Sequence, residues 1–214
     1  MDYTGKKFSL LGDSVSTFKG YTEGDAVFYG RVMCEKGGLS GVDDTWWMRV
    51  IHSLGGQLDT NNSFSGSCVA EAGFFEPASS EARCDALGAP EVIIIHMGAN
   101  DAGFAVPIAE FENAYRLMLS RLQARYPAAE LWCCTHVNGR KVLPEEPYFG
   151  GEDPSVDLTS YNEVIRYCAA EFGTKLADVA ATGLVYDAID GAHPTADGMK
   201  AIAEAILLYI NGNA

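Results

Sequence analysis

The chain predicts a three-layer α/β/α sandwich around a central, mostly parallel sheet of about five strands. Three observations lead there. Short apolar runs bounded by glycine or proline alternate with stretches of helical period. The strongest run, Glu91-Val92-Ile93-Ile94-Ile95-His96-Met97, is unbroken rather than alternating, which marks a strand covered on both faces. Finally, 214 residues at 48% hydrophobic and 21% charged can bury a sizeable core. No repeat, linker or change of composition divides residues 1–214, so a single domain is expected.

Taken in order, residues 7–11 read as a buried strand ending in the turn Gly12-Asp13-Ser14. Residues 20–44, rich in glycine and acids, read as a long loop. A helix follows over 45–54, with Asp43 or Asp44 as its cap and Gly55-Gly56 as its stop. Residues 57–61 form a second strand and 91–97 the third. The helix over 107–126 has Pro107 in its first turn, an apolar stripe of Ile108, Phe111, Tyr115, Leu119 and Leu122, and Pro127 as its terminator. A fourth strand covers 130–135. Residues 137–158, with prolines, glycines and acids, read as a second long loop. A helix over 160–172 closes at Gly173, a short strand covers 176–179, and the last helix spans 195–210 with Thr195 as N-cap. Alternating strands and helices imply a parallel sheet, and ligands of such sheets sit beyond the carboxyl ends of the strands.

The formal net charge of −14 disfavours nucleic acids and anionic membrane surfaces as partners. No apolar run approaches the roughly 20 residues of a membrane span. The first residues carry no apolar targeting segment, so a cytoplasmic location is expected. None of the six cysteines forms a C-x-x-C pair, so no zinc ribbon or redox motif is indicated and all six are expected to be reduced.

Four segments carry chemistry: Gly12-Asp13-Ser14-Val15-Ser16, Asn62-Ser63-Phe64-Ser65-Gly66-Ser67, Gly98-Ala99-Asn100-Asp101 and Asp190-Gly191-Ala192-His193-Pro194. Three follow strands and the fourth precedes the last helix, so all point to one sheet edge. Ester hydrolysis needs a nucleophile, a base, an orienter for the base and donors for the oxyanion. Ser14 is either a helix-capping serine or a nucleophile whose own N–H faces the oxyanion. Asp13 reads as structural. Gly66 is a turn glycine whose N–H can also approach an oxyanion. Asn100 either ends its strand in an Asx-turn or offers its side-chain amide, with Asp101 beside it as a cap. Of the four histidines, His193 alone has an acid, Asp190, three residues before it. His52 reads as packed or solvated and His96 as a satisfied core or edge residue. His136, at the end of the fourth strand, is the runner-up base or a substrate contact.

The order and wording of these segments resemble the SGNH (GDSL-type) hydrolase family over residues 8 to about 205. The resemblance implies a flavodoxin-like sandwich with Ser14 as nucleophile, His193 as base and Asp190 as its orienter. The oxyanion hole would come from Ser14, Gly66 and Asn100. It implies a serine esterase that needs no cofactor and no metal, acting on a small-molecule ester. Family members range over carbohydrate deacetylases, short-chain esterases, lysophospholipases and thioesterases, and fold does not choose among them. The absence of a wide apolar lid in the sequence favours a small acyl group such as acetyl. Tyr21, His136 and Tyr148 are candidate substrate contacts, and Phe28, Tyr29, Trp46 and Phe149 candidate wall aromatics. Two other readings stand beside it: a metal-dependent hydrolase using Asp13, Asn100, Asp101, Asp190 and His193, and a non-catalytic binding module. Nothing in the sequence bears on oligomeric state.

Overall fold

A computed structural model describes residues 2–22, 25–151 and 156–212. Five strands form one all-parallel sheet in the order β2-β1-β3-β4-β6: β1 (Lys7–Gly12), β2 (Gln57–Ser63), β3 (Val92–His96), β4 (Glu130–Cys134) and β6 (Lys175–Ala177). β5 (Gly139–Lys141) and β7 (Tyr186–Ala188) pair parallel in a separate ribbon.

Both faces of the sheet are covered, and the strand sequences show how. Along β3, Val92 and Ile94 enter one core with Phe8, Leu10 and Trp132; Ile93 and Ile95 enter the other with Leu11, Leu131 and Cys133. This two-residue alternation turns an unbroken apolar run into two half-cores. The first core is roofed by α2 (Trp46–Ser53) and α7 (Ala196–Ile210). The second is roofed by α3 (Glu81–Asp85), α5 (Ile108–Arg125) and α6 (Thr159–Glu171).

Several boundaries differ from the sequence reading. The residues read as the first loop contain α1 (Arg31–Gly37), whose single buried residue is Gly37. A helix that buries almost nothing has no apolar stripe to betray it. The second loop contains β5, three half-exposed residues whose pairing with β7 depends on contacts some 47 positions away. Residues 23–24 and 152–155 of those two loops lie outside the described residues. α2 is capped by Thr45, whose Oγ1 accepts from Met48 N at 3.3 Å, and not by Asp43 or Asp44. Asp44 is occupied by Arg49 at 2.6 Å and by Ser40 N at 2.8 Å. Thr195 caps α7 as expected, accepting from Gly198 N. All six cysteines are free thiols.

Register places the future site. Gly12, the last residue of β1, sits opposite Ser63 of β2 on one side and His96 of β3 on the other. A Cβ on Gly12 would come within 2.7 Å of both Ser16 and Ser63, so only glycine lets the end of β1 lie so close to β2 and to the turn that follows. This is also where the strand order reverses direction, the place where doubly wound sheets open a crevice.

Candidate active site

Ser14 opens a single 3-10 turn directly after β1, and Asp13 caps it by accepting from Val15 N at 3.0 Å. Asp13 is buried. Burial, tempered by that N–H and reinforced by the nearby charge of Asp101, pushes its carboxyl up to about 7. Thr17 ties this turn to the loop behind it: its hydroxyl donates to Ser14 O at 2.8 Å and accepts from Phe28 N at 2.9 Å.

The second segment is built around a charge that sequence reading passed over. Arg83, from α3, is 5% exposed and donates to Asn62 Oδ1 at 2.5 Å, Asn62 O at 3.0 Å, Ser67 Oγ at 2.8 Å and Glu76 O at 3.1 Å. Its guanidinium also lies 4.4 Å from the Phe64 ring centroid. Burial lowers its pKa to about 10, and it remains a cation at neutral pH. Arg83 therefore clamps both sides of Gly66. Gly66 itself sits at φ +82°, and its N–H donates to no described residue.

The third segment enters α4 (Ala99–Gly103) straight from β3. Asn100 lies in this short helix, and its Nδ2 donates one hydrogen to Ser67 O at 2.9 Å, leaving a second N–H. Asp101 does not cap the next element as the sequence implied. Its carboxylate reaches back to Val69 N and Ala70 N at 2.9 Å each, fixing the chain that follows Ser67. Burial outweighs those hydrogen bonds and raises Asp101 to about 6.

The fourth segment forms a tight turn between β7 and α7. Asp190 Oδ2 lies 2.8 Å from His193 Nδ1, while Asp190 Oδ1 accepts from His193 N at 2.9 Å and Ala192 N at 3.1 Å. Burial would raise the Asp190 carboxyl, but the bonds from the His193 ring and the two amides hold it below its ordinary value. Tyr29 OH and Tyr186 OH fasten the same turn through Pro194 O and Ala192 O. Phe28 stacks flat on the imidazole, with Phe149 edge-on at 5.0 Å.

Ser14, Gly66, Asn100 and His193 all line one cavity of about 500 Å³. The four segments do meet at one sheet edge. Among the described residues His193 Nε2 has no partner within hydrogen-bond reach, so the expected bond to Ser14 Oγ is not made in this structure. Hydrogen bonds of this kind are commonly long in a free site and tighten when substrate arrives.

Of the other candidates, His136 lines the cavity, whereas Tyr21 and Tyr148 do not. Tyr21 packs on Phe18 and Trp47 at the surface, and Tyr148 lies under Lys141 Nζ at 4.8 Å. Trp46 and Tyr29 are core residues, while Phe28 and Phe149 touch the imidazole. His96 is buried but unsatisfied, contrary to expectation: its Nδ1 has no partner among the described residues. His52 is exposed, 3.7 Å from Asp43. Asp13 Oδ1 and both Asp101 oxygens accept from backbone amides. Among the described residues no group of three or more His, Cys, Asp or Glu side chains is placed to hold a metal ion.

With this geometry in view, a model of the GDSL-like lipase/acylhydrolase family matches residues 6–141. The chain belongs to that family. GDSL-like hydrolases are also its structural neighbours. A protein described as a GDSL-like lipase from Bacteroides uniformis superimposes with a TM-score of 0.77 at 26% identity, over 97% of this chain and 96% of its own. A second so described, from Bacteroides ovatus, gives 0.74 at 23%, over 97% and 99%. A carbohydrate acetylesterase from Sinorhizobium meliloti gives 0.68 at 16%, over 98% and 100%. Among curated proteins none matches the chain. The protein is an esterase or acylhydrolase of the GDSL type. No described helix is long and apolar enough to cross a membrane.

Proposed function

We propose that this GDSL-like hydrolase is a serine esterase in which Ser14 is the nucleophile, His193 the base and Asp190 the group that orients the base. The observation that carries this reading is the His193–Asp190 pair at 2.8 Å, held in a cavity that Ser14 also lines, with the second imidazole nitrogen unspent. His193 Nε2 takes the Ser14 proton as Oγ attacks the acyl carbon, then returns it to the departing alcohol. Water repeats the sequence on the acyl-enzyme. The N–H groups of Ser14 and Gly66 and the remaining N–H of Asn100 stabilise the oxyanion. Support for Gly66 and Asn100 is their position on the same cavity and their unspent donors.

The substrate is a carboxylic ester with a small acyl group, acetyl or another short chain. A cavity of about 500 Å³ suits a compact ester better than a long lipid chain. Phe74, Phe104 and Phe149, all exposed, surround its opening and favour an apolar substituent there. A serine-directed organophosphonate tests the nucleophile. One equivalent should attach, at Ser14, with complete loss of p-nitrophenyl acetate hydrolysis. Full activity after stoichiometric labelling elsewhere, or activity retained by Ser14→Ala, would overturn the reading.

A further inference from the structure

The cavity has a second imidazole pole that the proposed mechanism does not use. His96 ends β3 and His136 follows β4, and their rings meet edge to face with centroids 4.3 Å apart. Both are more than nine-tenths buried and both line the cavity. His96 Nδ1 and His136 Nε2 have no hydrogen-bond partner among the described residues. A buried polar atom left unpaired is expensive, and native proteins keep such atoms for a reason.

The position of His136 is built rather than incidental. Asn162, from α6, accepts from His136 N at 2.8 Å and donates to His136 O at 2.9 Å, gripping the backbone from both sides. The other polar groups at this end are occupied. Thr135 Oγ1 donates to Asp178 and accepts from Ala180 N, Asn138 bonds Val156 through both its amide atoms, and Tyr186 OH donates to Ala192 O. Val137, Val179 and Ile202 supply the remaining wall. Among the described residues named at this end, the two imidazole nitrogens are thus the polar atoms left unspent.

Their charge state narrows what they recognise. Burial holds His136 down to about 4, offset only in part by a hydrogen bond with the Met97 backbone. His96 lies well below its ordinary value, through burial and then the neighbouring His136. Both rings are neutral at physiological pH, so an anionic group finds no cation here. An alkyl group leaves both nitrogens unpaired, and a polyol sets its extra hydroxyls against valine and isoleucine. A neutral imidazole offers one acceptor nitrogen and one N–H. An alcohol hydroxyl meets these demands, because it donates to one nitrogen and can accept from another.

We propose that His96 and His136 are specificity-determining residues that hydrogen-bond a single hydroxyl on an otherwise apolar ester, making hydroxyalkyl or hydroxyacyl esters the preferred substrates. This assignment rests on the serine-esterase reading of the same cavity. A site built to bond a hydroxyl discriminates against the analogue lacking it because its own polar atoms are then stranded.

Two matched pairs test it, one for each side of the ester: p-nitrophenyl butanoate against its 3-hydroxybutanoate, and propyl butanoate against 3-hydroxypropyl butanoate followed by pH-stat. In one pair the hydroxylated ester should have a kcat/KM roughly tenfold or more higher. His136→Phe should bring that ratio to within about twofold of unity, while His136→Gln, which keeps an acceptor, should preserve part of it. A wild-type ratio below about twofold in both pairs overturns the proposal without any variant. So does a ratio unchanged in folded His136→Phe and His96→Phe proteins. Failure of the esterase reading looks different: Ser14→Ala would then still cleave the plain esters, whatever the ratio.

Discussion

The Phe28 ring lies face to face on the His193 imidazole, with centroids 3.4 Å apart and planes 7° from parallel. Asp190 fixes one edge of that imidazole and Phe28 fixes its face, so ring rotation is blocked in two directions. Thr17 in turn holds Phe28 N and Ser14 O together. The proposed base and nucleophile are therefore positioned by one shared hydroxyl.

Phe28→Ala removes the stack and leaves Asp190 in place. An aromatic contact contributes about 0.5–1.5 kcal/mol beyond its buried area. The expected outcome is a fall in kcat of roughly tenfold with KM nearly unchanged, read by steady-state kinetics on p-nitrophenyl acetate. A rise in KM alone would make Phe28 a substrate wall instead.

Ser14→Ala and His193→Ala should each reduce kcat by on the order of 10⁴ or more, and the double variant should be little worse than either. Additive losses in the double variant would mean that the two residues do not act together. Asp190→Ala should be milder, because the base remains.

Asn100→Ala should lower kcat by roughly 10²–10³ with KM nearly constant, as loss of an oxyanion donor does. Because Asn100 also bonds Ser67 O, the thermal midpoint must be followed in parallel. A KM effect with unchanged kcat would assign Asn100 to substrate binding.

Stability should depend on pH through Asp13 and Asp101. Their folded-state pKa values, about 7 and about 6, stand above the ordinary 3.8. The folded chain then binds more protons than the unfolded one across about pH 4–7. The contribution is fully present below about pH 4 and is lost as pH rises through about 6 and 7. Asp13→Asn keeps the acceptor for Val15 N and removes the titration. Its Tm should vary less than wild type between about pH 5 and 8. Parallel Tm profiles would remove Asp13 from this role.

Arg83→Met keeps much of the side-chain volume but strands Asn62 Oδ1 and three other acceptors. Leaving a buried group unpaired costs about 1–3 kcal/mol, so a Tm loss of about 2–4 °C per kcal/mol is expected by calorimetry. Activity should fall further than stability, because Gly66 is held between the two residues that Arg83 clamps. An unchanged Tm would mean that the segment holds itself.

What the sequence disclosed depended on range. β1 and β3 were legible because each buries an apolar run beside a glycine or proline, and α5 because Phe111, Tyr115, Leu119 and Leu122 repeat at helical spacing. The four motif segments were legible because each is short and contiguous. Residues whose roles depend on distant partners were not. Asp101 looked like a local cap, yet its amides lie more than 30 positions earlier in the chain. Arg83 carries no local sign that it will be buried. His96 read as a satisfied core residue because a sequence does not reveal which buried nitrogen will lack a partner. Tyr21 and Tyr148 read as candidate substrate contacts, but the direction of a loop side chain is decided by what the loop packs against.

β1 lies inside the sheet, between β2 and β3, although it is made first. Its neighbours arrive about fifty and eighty-five residues later, and the His193 turn later still. Until α7 docks beside α2, Ser14 lacks the His193 imidazole. During synthesis the growing chain therefore holds its proposed nucleophile idle, since long-range parallel pairing must precede assembly of the site. Onset of esterase activity in a cell-free translation should lag behind the appearance of the sheet and coincide with closure of the last helix. Catalysis would then serve as a clock for the end of folding.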